Sequence, residues 1–309
     1  MPLAADAGPR GVAVRFDLLR ALLRNRSGLV GIVILIVFTV LAAIPDLLVG
    51  PLETAVTATG GRLQPPSAAY PLGTDELGRS ILNLTVHATR ISMIIGLLAT
   101  VVTVGVGAVV GIISGYIGGR LDALAMRIAD FFLVMPTFVL ALILTSLIRD
   151  VLGTGSKEIG GIRVSLLIIV VVIGITSWSS TARIIRSQTL SLRERAFVDR
   201  ARVIGASSGH IMRRHILPNV MNLIIANTVL TFAGAVLTET TLSFVGLGDP
   251  FQPSWGQLLE AARSVGALGL GKWWYFVPPG SAVVLVVFAF TLLGNALDDI
   301  LNPRRAAGR

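Results

Sequence analysis

The side chains able to do chemistry in this 309-residue chain are few, and their spacing argues against catalysis. The chain has no cysteine, which excludes a thiol nucleophile, a disulfide and a Cys-ligated metal. His87, His210 and His215 do not form a ligand set, because the last two are five residues apart and no third ligand is near. Hydrogen-bonding or interfacial roles are expected for them. Gly266 to Trp273 reads GALGLGKW, but Trp273 stands where a phosphate-binding loop needs Ser or Thr to hold magnesium. No His is paired with a carboxylate for hydrolysis. Asn83-Leu84-Thr85 fits a glycosylation acceptor, which matters only on a eukaryotic secretory route. No catalytic residue, bound cofactor or metal is therefore expected in this chain.

What remains is a polar run between two apolar blocks, Glu194 to Asn219, ERAFVDRARVIGASSGHIMRRHILPN. Eight of the 26 Lys and Arg lie between Arg183 and Arg214, so this is either a solvated basic loop or a surface for a partner. Good helix formers run from Arg193 to Ile204, with Phe197, Ala201 and Ile204 on one face and Arg195, Asp199 and Arg202 on others. Gly205 should end that helix, and Ser207 or Ser208 can cap a second one through Arg213 toward Pro218. Ala201 and Gly205 are small enough for another surface to approach closely. Arg200, Arg202, Arg213 and Arg214 offer forks for carboxylates.

The elements that position this run lie in a membrane. With 53% hydrophobic residues, 14% charged residues and a mean hydropathy of +0.80, the chain is too apolar for a soluble globule of its length. Six uncharged stretches reach the roughly 20 residues that a bilayer crossing needs. They run roughly from Gly28 to Ile44, Ile91 to Ile117, Phe131 to Ile148, Val164 to Thr181, Ile216 to Thr238 and Trp273 to Leu297. The expected fold is all-α, a polytopic membrane protein with six transmembrane helices. The net charge of +9 gathers at span ends, which fits a lipid bilayer and not a nucleic-acid partner. A cleaved signal is not expected, because the first apolar block follows five Arg and exceeds a typical h-region. The excess of 24 Arg over two Lys is a weak sign of a GC-rich genome.

Lys and Arg by loop give the orientation. Five precede Gly28, two are Arg120 and Arg127, eight lie in 183–214 and three at the C-terminus, against eight on the other side. The richer side should be cytoplasmic, which puts both termini inside. The expected division is a tail at 1–27, a first helix at 28–49, an extracytoplasmic segment at 50–90 and a permeation core at 91–299. The core carries a cytoplasmic loop at 183–218, and a tail at 300–309 follows.

Inside the spans, Gly107, Gly111, Gly115 and Gly119 repeat every four residues, for close helix packing or, at Gly115, a hinge. Pro136 should kink the third span, either to shape a pore or to fit a neighbour. Asp130, Glu239, Asp298 and Asp299 fall near span ends, where water reduces the cost of charge. Glu239 follows Asn227 and Thr231 at spacings of twelve and eight, and the three are expected close to one face, along a polar path. The outer segment 242–272 with Trp255, and Trp273 and Trp274 beyond it, could form a gate, a docking site or an interfacial anchor.

The spacing Asp199-Arg200-Ala201, three residues, Gly205, nine residues, His215-Ile216-Leu217-Pro218 resembles the Glu-Ala-Ala loop of membrane subunits of ATP-binding-cassette (ABC) importers. Asp199 replaces the usual Glu and Arg200 the first Ala. Further motifs extend the resemblance over most of the chain: Pro71 to Ser80 (PLGTDELGRS), Thr240 to Gly248 (TTLSFVGLG), Pro253 to Gly256, Leu293 to Asn295, and Asp298 to Arg304. Together they resemble the C-type permease of the dipeptide, oligopeptide and nickel importers. That resemblance implies the type I importer permease fold and an ATPase-coupling loop containing Glu194, Asp199, Arg200, Ala201, Gly205, His215, Leu217 and Pro218. It implies a B-type permease, two ATPase domains binding ATP and Mg, and an extracytoplasmic solute-binding protein as partners in a bacterial inner membrane. Peptides are the implied cargo, with nickel, haem, glutathione or another solute as alternatives. A stand-alone secondary carrier or channel would be expected to show inverted repeats or midplane charges, and neither is present.

Overall fold

A computed structural model of the protein describes residues 21–152, 158–159, 162–249 and 251–301, and these are largely helical. Residues 1–20 of the tail expected at 1–27 and residues 302–309 of the tail expected at 300–309, with the last residues of the Asp298 to Arg304 motif, lie outside them. The helices are α1 (Arg26–Ala43), α2 (Pro45–Val49), α3 (Ile81–Ile117), α4 (Gly119–Val134), α5 (Thr137–Leu152) and α6 (Val164–Arg193). They continue with α7 (Ala196–Val203), α8 (Ser208–Ile211), α9 (Leu217–Leu242), α10 (Trp255–Ser264) and α11 (Trp273–Leu301). A two-residue antiparallel pairing of Glu158–Ile159 with Ile162–Arg163 precedes α6. Single π-turns, Met212–Ile216 and Ser243–Leu247, adjoin the two ends of α9.

Three expected boundaries move. The helix expected from Ile91 starts at Ile81, because Ser80 caps it by accepting the Asn83 amide at 3.4 Å. The helix expected to end at Thr181 runs to Arg193, so residues 183–193 of the expected loop belong to the bundle. Their arginines are bound there: Arg186 forks onto Asp122 at 2.5 and 2.6 Å, and Arg183 pairs with Asp130. The third span is two helices bent by 94°. Pro136 lacks the amide a continuous helix needs there, and Met135 before it takes the extended φ −72°, ψ 133° that a following proline favours.

Contacts between helices decide whether that bent pair crosses the bilayer or turns back. Gly107 lies against Trp178 and Thr181, Gly111 against Ala182 and Ile185, and Gly115 against Arg186 and Thr189. Residue numbers rise together, so α3 and α6 run parallel, and the chain between them must cross once. The crossing is α4 with α5: Asp122 and Asp130 meet the C-terminal half of α6, while Ala141 and Ile148 share a cluster with Val164 to Ile173. The described residues therefore make six crossings. The helix α11 runs antiparallel to α1, with Gly28 on Ala296 and Gly31 on Ala289, which puts both described ends beside the arginine-rich end of the bundle.

The glycine repeat serves the packing reading through its first three members. A Cβ on Gly111 would lie 2.6 Å from the Ala182 carbonyl oxygen and 2.9 Å from the Ile185 Cβ, whereas one on Gly105 meets nothing within 4 Å. Gly111→Val should cost about 1–3 kcal/mol as overpacking. Gly105→Val should be close to neutral, and comparing the melting temperatures of the two purified variants checks both.

Candidate coupling surface and polar path

At the arginine-rich end the chain folds as two short helices pressed on the bundle. Leu192, Val198, Ala201, Ile211, Ile216 and Val220 are buried with Ile112, Tyr116 and Ile185, so α7 is seated on the ends of α3 and α6. Burying a side chain such as Val198 contributes about 1.5–3 kcal/mol, enough to hold an eight-residue helix too short to be stable alone. Gly205 ends it in the left-handed region at φ +83°, where a side chain other than Asn or Asp is strained. Ser207 then caps α8 by accepting the His210 amide at 3.4 Å. Pro218 directly follows the π-turn Met212–Ile216, where the Leu217 amide reaches back to the Met212 carbonyl and the helix continues from α8 into α9.

The inward stripe of α7 is Val198 and Ala201, one position off the expected face. Ala201 is thus used inside the chain and is not free for a partner. Phe197 lies at the edge of the stripe with its ring 6.2 Å from that of His215, and Ile204 turns outward. Val203 and Ile204 stand 87% and 83% exposed beside Gly205. Sequence reasoning passed over Val203; the signal was two consecutive apolar residues closing an arginine-rich helix. Around them Glu194, Asp199, Arg200, Arg213 and Arg214 are exposed, while His215 and Leu217 are half-buried. Arg193 binds Glu194 at 3.0 Å and Arg202 binds Asp199 at 3.1 Å, with the Arg202 guanidinium 5.6 Å above the Tyr116 ring. The result is an apolar knob, set among exposed arginines, on a helix fixed to two membrane spans.

Asn227 and Thr231 do meet on α9: the Asn227 amide donates to Thr181 Oγ1 at 2.9 Å and Thr231 Oγ1 at 3.3 Å. They line a cavity of about 190 Å³ with Thr103, Ile173, Ser177, Ser180, Gly234, Ala235 and Thr238. The run Ser177 to Thr181 inside an apolar span was the available sign of this polar wall.

Glu239 is not part of it. At about 100° per residue, twelve residues leave Glu239 roughly 120° around the helix from Asn227, whereas Thr238 at eleven falls in line. Nor is Glu239 solvated at a span end. It is 0% exposed, and its carboxyl accepts from Ser243 at 2.8 Å, Ser92 at 3.2 Å and Thr240 at 3.4 Å. The Ser92 hydroxyl oxygen in turn accepts the Trp255 amide at 3.1 Å. Trp255 is also 0% exposed, edge-on to Phe38 at 5.8 Å, so it anchors α10 and does not face a gate. Gly256 closes the same junction, since its backbone rests on Thr240 and Ser243. The stretches 240–248 and 253–256, separate in sequence, pack on one carboxyl group.

Residues 107–307, which include α7, α8, Glu239 and all of the cavity wall but Thr103, match the family described as binding-protein-dependent transport system inner membrane component. The chain belongs to that family. It is 33% identical over 290 residues to the dipeptide transport system permease protein of Bacillus subtilis (strain 168), covering 93% of this chain and 85% of that one. It is 35% identical over 287 residues to the oligopeptide transport system permease protein of Mycobacterium tuberculosis (strain ATCC 25618 / H37Rv), covering 92% of each. The chain is a multi-pass permease component of a binding-protein-dependent transport system, and its fold is the type I permease fold of that family.

In this permease, Pro71 to Ser80 is a structural clip. The Asp75 carboxylate accepts from the amides of Leu77 at 2.9 Å and Arg79 at 2.8 Å and from Arg79 Nε at 2.7 Å. The Tyr275 hydroxyl donates to Glu76, which joins this clip to the start of α11. Asn83 is buried, with its amide donating to the carbonyls of Val49 and Pro51 and its oxygen accepting from the Glu53 amide, so it presents no glycosylation acceptor. His87 hydrogen-bonds the Gly50 carbonyl at 2.9 Å. Lys272 of the failed phosphate motif lies 5.1 Å over the Trp274 ring.

The Glu239 junction makes a stability prediction. Glu239→Gln keeps an acceptor and should change the melting temperature little. Glu239→Leu leaves buried hydroxyls without their acceptor and should cost about 1–3 kcal/mol, read as a lower melting temperature of the purified subunit.

Proposed function

We propose that this permease is the C-type subunit of an ABC importer for di- and oligopeptides. Its pathway would form with a B-type permease and be driven by two ATPase domains that bind ATP and Mg. Solute would arrive from an extracytoplasmic binding protein. The observation that carries the coupling role is the pair Val203 and Ile204, exposed on a helix whose other side, Val198 and Ala201, is buried against α3 and α6. Apolar surface that is costly in water and rigidly joined to the spans suits a partner that both docks and pushes. The exposed arginines at 200, 213 and 214 suit an acidic rim around that dock. The names of the peptide permeases above support the cargo.

The arginine-rich end faces the cytoplasm of a bacterial inner-membrane cell in this reading, with both termini inside, by the excess of Lys and Arg there. Gly205 and the knob beside it enter the ATPase. Closure of the ATPases on ATP moves α7, the motion passes to α3, α6 and α9, and the two permeases alternate access to a shared path lined on this side by Asn227 and Thr231.

Val203→Asp and Ile204→Asp should each leave the subunit in the membrane, because neither side chain is in the core. Each should reduce ATPase co-purified with the subunit by roughly tenfold or more, the effect of losing an interface anchor. Unchanged co-purification in both would refute docking at the knob. Uptake into vesicles that lack every ATPase would refute the importer itself.

A further inference from the structure

The cavity beside Asn227 has a composition that the coupling role does not explain. Its polar lining comes from three helices: Thr103 of α3, Ser177, Ser180 and Thr181 of α6, and Asn227, Thr231 and Thr238 of α9. Every polar group in that wall is a hydroxyl or an amide, and no ionisable side chain lines it. In an apolar span such groups cost free energy unless something bonds them. Some bond each other or a helix carbonyl: Thr231 donates to the Asn227 carbonyl at 2.8 Å, and the Asn227 amide to Thr181 and Thr231. Others have bonding capacity left. Ser177 is half-buried. Ser180 is exposed on the same wall.

The charged groups of this half of the protein are held away from the cavity. Glu239 is turned to the other side of α9 and enclosed by hydroxyls, Arg183 and Arg186 pair with Asp130 and Asp122, and Asp249 is taken by Ser165 and the Phe251 amide. We propose that this cavity is a solute-contact site that holds its cargo by hydrogen bonds to neutral amide and hydroxyl groups and carries no fixed charge. It thereby passes amide-rich solutes with little regard to the sign of their side-chain charge. This rests on the importer reading above and specifies what its path recognises. A fixed charge in the wall would favour one sign of cargo and repel the other, and a hydrogen-bonding wall discriminates by neither.

The test uses the complete transporter, with its partner permease, ATPases and binding protein, reconstituted in vesicles. Uptake is measured for three tripeptides of equal length whose central residue is Gln, Glu or Lys, each supplied at a concentration that saturates the binding protein. The wild type should move the three at rates within about threefold of one another, a difference below 1 kcal/mol. Ser180→Asp should raise the Lys-to-Glu uptake ratio by about tenfold, and Ser180→Lys should shift it by a similar factor in the opposite direction. Ser180 is exposed, so neither variant buries a charge in the core. Ser180→Ala, which removes a hydroxyl open to the cavity, should slow all three tripeptides alike while ATP hydrolysis persists. The proposal is overturned if the wild type already separates the Glu and Lys cargo by tenfold. It also fails if the two charged Ser180 variants leave the ratio unmoved, shift it the same way, or abolish uptake while ATP hydrolysis continues. Those outcomes leave ATP-driven import intact. Uptake that proceeds without ATP would instead sink the importer reading, whatever the ratio does.

Discussion

The close parallel packing of α3 on α6 is the constraint on which the other features depend. Between these spans Gly107, Gly111 and Gly115 bring backbone against backbone, with no room for a Cβ. In a bilayer, where lipid is as apolar as the side chains, such intimate contact is a main source of helix association. Two consequences follow from the direction of the contact. The chain between the spans must cross the membrane, which makes the bent pair α4 and α5 one crossing. The C-terminal ends of α3 and α6 must also come together, and there Ile112, Tyr116, Ile185 and Leu192 form the seat for α7.

That seat makes the coupling helix a rigid extension of two spans and not a tethered loop. A solvated basic loop would satisfy the charge asymmetry equally well, but it would have no reason to bury Val198 completely while leaving Val203 and Ile204 in water. The π-turn at Met212–Ile216 passes the chain from this element directly into α9, so the element that docks and the element that lines the polar cavity are covalently continuous. At the opposite end of α9 a second π-turn, Ser243–Leu247, leads into the Glu239 junction and α10. One span thus carries a partner surface at one end, hydrogen-bonding groups along its middle, and a fixed polar knot at the other.

Much of this was legible in the residues. Apolar length gave the spans, the four-residue glycine repeat gave close packing, Gly205 and Ser207 gave the break between two short helices, and Pro136 gave the bend. Such features are local: each depends on a few neighbours and on the bilayer. The family resemblance also rested on local runs, and similarity to known permeases over most of the chain supports it.

Other features were not local and were misread for that reason. Glu239 looked like a lining residue because it follows two polar residues, yet its direction depends on helix phase, and its partners Ser92 and the Trp255 amide come from other elements. Trp255 was expected at a gate, a docking site or the membrane interface, but it is buried against Phe38. Ala201 looked available to a partner until α7 was seated one position around. The sequence alone determined which segments enter the membrane, where helices break and which stretch is too polar to stay there, because each is set by backbone chemistry and transfer free energy residue by residue. Only the tertiary structure decided which face of each helix is turned inward, because that is a sum over contacts between residues far apart in the chain.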